Sequence, residues 1–386
     1  VLIPAPDGQA TMTRSLYLRP IALAESPQSE EGEVVRLGGT LVWASRFAVI
    51  VRENGKVVSR GRYSVEQMPA ALAALPADLG AEGEAQWASL RKVHAPLNLA
   101  LKGGGTRTIR LEQPQVMGIL NMTPDSFSNG GEFLDDPQIA RDHASAMLEV
   151  GAAMIDVGGE STRPGAGAVW EGDEIKRVVP MVEQLAAMGA AISVDTRRPA
   201  VMDASLQAGA HVINDVSALR YDPRSLELAA SSGAPVVLMH APGKADDLHS
   251  NGDYADVVLD VFDWLAARRD EIVAGGVAAE NILLDPGIGF GKSVAENLAL
   301  LNALPLFHAL GQPLLVGASR KRMIGALSNE AQPHERLGGS IMLAVKAMEA
   351  GAHILRVHDV PETVQAARVW RGLRDAALTD FSQLTD

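Results

Sequence analysis

The chain has 386 residues, 47% of them hydrophobic and 21% charged, and a formal net charge of −13, enough material for one large folded unit and a smaller one. That acidic balance excludes a diffuse basic surface for nucleic acid or an anionic membrane, so an anionic ligand must meet a local cationic cluster. The absence of cysteine excludes disulfides, thiolate metal sites and a cysteine nucleophile, and fits a cytoplasmic location.

The first segment, VLIPAPDGQATMTRS, has no charged stretch followed by an apolar one, and residues 1–13 are expected to be a tag remnant or a disordered extension. Residues 14–101 are expected to form a small α+β domain. Within it, RFAVIVRENGKVVSRGRYSV places Asn54-Gly55 between two β-rich runs, a hairpin signal because both turn positions favour positive φ. A run at Leu41 to Ala44 adds a short strand, and MPAALAAL and EAQWASLRKV read as helices. His94 and two arginines near the hairpin read as surface residues. The Lys102 to Thr106 stretch holds three consecutive glycines, and residues 102–112 are expected to be a flexible linker.

From Val116 onward the pattern becomes periodic. Short apolar runs end at Asn121, Asp156, Asp195, Asn214, His240, Asp285, Ser319 and the Arg356/His358 pair, on average about 34 residues apart, room for a strand, a helix and two loops. Residues 113–376 therefore read as a (β/α)8 barrel, with 377–386 a tail, and the polar tips converge on the C-terminal face of the strands. QIARDHASAMLEVGA, EIKRVVPMVEQLAAMGA, RPAVMDASLQAGA and SIMLAVKAMEAGA have helical spacing and end at glycines suited to left-handed caps.

Two loops stand out at that face. MGILNMTPDSFSNGG (117–131) and DVGGESTRPGA (156–166) are rich in glycine amides and hydroxyls, which suit phosphate oxygens. Arg163, Lys321, Arg356 and His358 give the acidic chain a local cationic cluster able to surround a diphosphate; separate salt bridges to Asp156, Glu160 or Asp359 are the alternative. Asp195, Asn214 and Asp285 offer acceptors and one amide on separate strands, a set suited to the amino-amide edge of a flat heterocycle. DPGIGFGKS (285–293) is not a phosphate-binding P-loop, because Pro286 stands where that pattern needs glycine, and its glycines instead admit close approach of a flat ligand beside Phe290. No HExxH or similar ligand cluster is present. His240 is a lone histidine after an apolar run, structural or catalytic.

GILNMTPDSFSNGG, IDVGGESTRPGA, SVDT, INDVSA, VLMH, LLDPGIGFGK, VGASRKRMIG and RVHDV occur in this order between about residues 115 and 375. Together they resemble the dihydropteroate synthase family. The resemblance implies a transferase that condenses 6-hydroxymethyl-7,8-dihydropterin diphosphate with 4-aminobenzoate, giving 7,8-dihydropteroate and diphosphate by dissociative loss of diphosphate. It implies Mg2+ held at Asn121, pterin contacts at Asp195, Asn214, Asp285 and Lys321, and diphosphate contacts at Arg163, Arg356 and His358. Phe127, Thr162, Pro164, Phe290 and the helix start from Ser319 to Arg322 would line the aminobenzoate site, where sulfonamides compete, and a homodimer is implied. Neither nucleic acid nor membrane is expected as a partner.

Two departures from the family pattern stand out. Ala241-Pro242-Gly243 replaces a frequent Met-Gln-Gly after VLMH, and Ile288 stands where a second Phe is frequent. Residues 1–100 carry none of the family's motifs. A methyltetrahydrofolate-dependent methyltransferase shares the polar floor but has no use for the SRK, RVH and STRP cations. A noncatalytic pterin-binding relative would have lost the charged tips, which are all present.

Overall fold

A computed structural model describes residues 13–26, 32–123, 137–161, 167 and 169–378. At the N-terminal end, strands β1 (Arg14–Ala24), β2 (Val35–Arg36), β3 (Trp43–Glu53) and β4 (Lys56–Ser64) form an antiparallel sheet centred on β3. Asn54 and Gly55 make the expected β3–β4 turn with φ of 48° and 78°. The run at Leu41 to Ala44 is not a separate strand, because its end continues into β3. β1 escapes the sequence reading because Pro20 and register shifts between Pro20 and Leu23 break its alternation.

Helices α1 (Met68–Ala73) and α2 (Ala77–Leu90) follow. The Gln86 side chain on α2 donates to Leu16 O at 2.6 Å and accepts from Leu18 N at 2.9 Å, and Glu82 accepts from Leu16 N at 3.1 Å. These side chains satisfy the outer edge of β1, which would otherwise offer open pairing groups.

The segment expected to be a flexible linker is ordered as part of a hairpin. β5 (Leu97–Ala100) pairs with β6 (Thr106–Ile109), and Gly104 and Gly105 take φ of 92° and 86° in the turn. Its apolar side chains Leu97, Leu99 and Ile109, with Leu111, cluster with one residue from the start of each barrel strand, from Met117 to Ile354. The glycines serve a tight turn and the flanking alternation plugs the barrel's lower mouth.

Eight parallel strands make the barrel: β7 (Gln115–Asn121), β8 (Met154–Gly158), β9 (Ile192–Asp195), β10 (Val212–Asp215), β11 (Val236–Met239), β12 (Ile282–Asp285), β13 (Leu315–Val316) and β14 (Ile354–Val357). Pairing runs from β12 back to β7, then β14 and β13, and a parallel Leu284–Leu314 bridge closes the ring. The outer helices are α3 (Pro137–Val150), α4 (Glu171–Ala187), α5 (Pro199–Ala208), α6 (Arg224–Ser232), α7 (Val257–Ala274), α8 (Val294–Ala303), α9 (Arg322–Leu327), α10 (Leu337–Glu349) and α11 (Val360–Leu378). Gly151, Gly209 and Gly351, of the repeated Gly-Ala pairs, all have positive φ, as left-handed helix ends require. Among the described residues no helix is long and apolar enough to cross a membrane.

The N-terminal sheet shares one hydrophobic core with the barrel. Tyr17 packs edge-on against Phe262 of α7, and its hydroxyl donates to Asp263 Oδ2 at 2.7 Å. Arg52, read from sequence as a surface residue, is buried and lies 2.6 Å from Asp260 and 3.4 Å from Asp263. Buried His353, at the start of β14, accepts from Leu314 N through Nδ1, which fixes its Nε2 as the donor to Gly38 O at 3.2 Å. His94 stacks edge-on against that ring and is half-buried.

Candidate active site

Strand alternation explains where the polar residues sit. The plugged layer holds Met117, Met154, Val212, Leu283 and Ile354, and residues two positions further along each strand share the same inward face. That second layer is Ile119, Asp156, Asn214, Asp285 and Arg356, with Ser193 of β9 beside Asp156. Asn121, Asp195 and His358 lie one step higher again. The apolar bottom gives a water-excluded base, and polar chemistry begins in the middle of the barrel.

Two of the expected residues meet through one that had no assigned role, and a third joins them through Arg356. Asp156 is fully buried, accepts from Arg356 Nε at 2.6 Å and from Asn214 Nδ2 at 3.1 Å, and leaves Oδ1 without a hydrogen-bond partner. Arg356 Nη2 also donates to Asp195 Oδ2 at 2.6 Å. The guanidinium thus spans two carboxylates, the arrangement its fork geometry favours. Burial is the largest influence on Asp195 and pushes its carboxyl up to about 7, opposed by Arg356 and reinforced by Asp156 and Glu174.

Asp285 ends β12 and is oriented by its own loop, since Oδ1 accepts from Gly287 N at 2.7 Å. Burial raises it to about 6 while the Gly287 amide, Lys321, Lys292 and Arg356 pull it down. Lys321 Nζ lies 4.2 Å from the centre of the Phe290 ring, a cation–π contact, and the His249 ring stacks on Phe290 with centroids 5.1 Å apart. Lys321, Phe290 and Asp285 therefore share one wall.

His358 and Ser319 form another corner. Ser319 Oγ accepts from His358 N at 3.2 Å and lies 3.1 Å from His358 Nδ1. The helix expected to start near Ser319 begins at Arg322, because Arg320 has φ of 56° and breaks the helical path. Arg322 is exposed at the first helical position, and Arg320 pairs with Asp359. Asn121 closes β7 partly exposed, and a Cβ built on Gly158 would meet both its Oδ1 and the Asp195 Cβ at 3.5 Å. Phe127, Thr162, Arg163 and Pro164 lie outside the described residues.

Glu160 builds the base of the second loop. It accepts from Val169 N at 3.2 Å across the loop, from Arg197 Nε at 2.9 Å and from Arg198 Nη2 at 3.0 Å. Arg198 also lies 3.2 Å from buried Glu174, and Arg197 stacks over Tyr221 at 4.3 Å. Sequence reasoning missed this cluster, although the Arg197-Arg198 pair directly after SVDT was visible.

His240 is buried with its ring edge-on to Trp264 at 4.9 Å, and its Nδ1 has no hydrogen-bond partner. Burial, then Lys292 and Arg220, lowers its pKa to about 2, so the ring is neutral. Ala241 fills the small cluster that also contains Phe290, whereas Ile288 belongs to the main core. The two departures from the family pattern thus fall on packing positions.

The chain matches the family described as pterin binding enzyme over residues 117–358. It is 48% identical over 266 residues to the dihydropteroate synthase of Escherichia coli (strain K12), covering 68% of this chain and 92% of that protein. The dihydropteroate synthase of Neisseria meningitidis serogroup B is 44% identical over 273 residues, covering 70% and 96%. Among solved structures, Yersinia pestis dihydropteroate synthase with a sulfonamide drug complex is 46% identical with a TM-score of 0.67, covering 72% of this chain and 100% of the other. Burkholderia cenocepacia dihydropteroate synthase complexed with 7,8-dihydropteroate is 41% identical with a TM-score of 0.65, covering 73% and 98%. The chain therefore belongs to the pterin binding enzyme family, and within it to the dihydropteroate synthases.

Proposed function

We propose that this transferase condenses 6-hydroxymethyl-7,8-dihydropterin diphosphate with 4-aminobenzoate, yielding 7,8-dihydropteroate and diphosphate. The observation that carries the reading is the buried set of Asp156, Asp195, Asn214 and Asp285, joined by the part-buried Arg356, above an apolar plug, beside a cationic wall at Lys321. A flat, donor-rich heterocycle matches that floor. Asp195 and Asp285 accept its N–H groups, the Asn214 amide supplies a further polar contact, and Lys321 and Phe290 hold its edge and face.

In the reaction, the bond between the exocyclic methylene and diphosphate oxygen breaks with both electrons leaving on oxygen. Arg356, His358 and Arg163 stabilise the departing charge. The two floor carboxylates favour the cationic pterin methylene left behind. The aniline nitrogen of 4-aminobenzoate forms the new C–N bond and then releases a proton, so no protein nucleophile is required. Phe127, Thr162, Pro164, Phe290, Ser319 and Arg322 are the residues this reading assigns to aminobenzoate, and sulfonamides occupy the same place.

Among the described residues no group of three or more His, Asp or Glu side chains could hold a metal ion. The neutral amide oxygen of the partly exposed Asn121 nevertheless fits Mg2+, which keeps several waters and is commonly shared with phosphate oxygens. Mg2+ held there would act as a Lewis acid on the leaving diphosphate. The reading carries with it a cytoplasmic location. It also includes a homodimer that covers the exposed Leu327, Met342, Val369 and Leu373 of α9, α10 and α11, measurable by light scattering.

Diphosphate release measured with each component omitted in turn tests the assignment. Release should require the pterin diphosphate, 4-aminobenzoate and Mg2+ together, and sulfamethoxazole should raise the apparent KM for 4-aminobenzoate alone. Release independent of 4-aminobenzoate, or none at all, refutes the reading.

A further inference from the structure

Lys292 closes the DPGIGFGK segment, yet the condensation leaves it no task. Its Nζ donates to Gly287 O at 2.9 Å, Phe290 O at 3.1 Å and His240 O at 3.4 Å. An ammonium has three protons to donate, and here each is matched by a backbone carbonyl. The side chain points inward and is therefore not disposed as a phosphate-binding lysine would be.

Those carbonyls come from two elements, the end of β11 and the loop after β12. The loop reaches around the ammonium by left-handed turns at Gly287, Gly289 and Gly291, with φ of 70°, 85° and 55°. Asn297 of α8 clamps it from outside, accepting from Gly289 N at 2.6 Å and donating to Lys292 O at 3.1 Å. Two site features depend on the path so fixed. One is the Gly287 amide that orients Asp285, and the other is the Phe290 ring under Lys321.

We infer that Lys292 is a positioning residue for this reaction, an internal cation around which the loop is wound, acting on substrate through Phe290 and Asp285 rather than by contact. The inference rests on the proposed function. Hydrogen bonds from a charged donor to carbonyls are stronger than neutral ones, and leaving the carbonyls unmatched in a buried place is costly. Desolvation lowers its pKa to about 7, and the three carbonyls are what hold an ammonium in this part-buried place. Asp285 and Glu296 support its charge, while Lys321 opposes it.

The test uses the full chain with Lys292→Met, which keeps the stem and removes all donors, and Lys292→Gln, which keeps two. Circular dichroism and thermal unfolding establish that each variant is folded. Lys292→Met should raise the KM for 4-aminobenzoate by about tenfold or more with a smaller change in kcat, and Lys292→Gln should fall between it and the wild type. In a Phe290→Leu background, Lys292→Met should add less than about a twofold further change, because both substitutions remove the same placement. Folded variants with both KM values within about twofold of the wild type, or effects that add fully to those of Phe290→Leu, would overturn the inference. Failure of both variants to fold would also overturn it, since the lysine would then serve the whole fold. A wild-type enzyme without diphosphate release would instead refute the functional reading, so the two failures are distinguishable.

Discussion

The Arg356 guanidinium meets the Asp195 carboxylate at 2.6 Å while its Nε holds Asp156 at the same distance. A residue expected to serve the leaving group is thereby also the counter-ion of a carboxylate proposed to hold the pterin. Removing either partner leaves a buried charge without its match, and this coupling governs how the site titrates.

The first expectation concerns pH. Asp195 is pushed up to about 7 and Asp285 to about 6, mainly by burial. Both accept N–H donors only as carboxylates, so kcat/KM for the pterin diphosphate should rise as pH increases through that interval. Asp195→Asn should lower kcat/KM by about a hundredfold or more and shift the remaining acid limb downward. The stability sign is opposite: a carboxyl with a raised folded pKa binds its proton more tightly when folded, so its contribution declines from the unfolded value near 4 up to about 7. A flat kcat/KM profile from pH 5 to 8 would contradict the floor assignment.

Arg198 should stabilise the fold in a pH-dependent way. It is the ion-pair partner of fully buried Glu174, whose carboxyl burial raises to about 7. Arg198→Met should destabilise the protein by about 3 kcal/mol where Glu174 is ionised, read by urea unfolding at pH 8. At pH 6 the loss should be smaller, because the neutral acid tolerates burial. Equal losses at the two pH values would argue against this pairing.

Gly287 cannot carry a side chain without rebuilding the loop. A Cβ there would stand 1.8 Å from the His240 carbonyl oxygen, and the residue has φ of 70°. Gly287→Ala should cost about 2 kcal/mol or more and raise both KM values. Thermal unfolding with steady-state kinetics checks this, and wild-type behaviour in both would show that the loop has another accessible path.

Gln86 should matter to stability and not to chemistry. Gln86→Leu leaves the Leu16 carbonyl and the Leu18 amide of β1 without their partners, at a cost of about 2 to 4 kcal/mol. Hydrogen exchange at the Leu18 amide should accelerate, while kcat stays within about twofold of the wild type. Slow exchange in the variant would mean that the edge is protected by something other than α2.

The barrel was legible because its strand and helix periods repeat and its glycine caps recur. Asn121, Asp195 and Asp285 were legible as strand ends. Asp156 and Asn214 were named as tips but lie inside their strands, which run on to Gly158 and Asp215, a distinction that depends on pairing register and not on local sequence. β1 was hidden by Pro20, and the plug hairpin by three glycines that look alike in a linker and in a turn. Arg52 was misread because its acidic partners lie more than 200 residues further along the chain, on α7. Lys292 drew attention through a phosphate-loop pattern that failed, and only its three carbonyl contacts reveal what it does.

The continuous core running from the N-terminal sheet into the barrel bears on how the molecule comes apart. Tyr17 and Arg52 are fastened to α7, and Gly38 is fastened to His353 at the root of the strand that carries Arg356. The N-terminal sheet is thus structurally a supporting wall. Calorimetry should register a single melting event for both parts, and trimming the chain to the segment shared with its relatives would strip the lining from α7 and loosen the strand beneath Arg356.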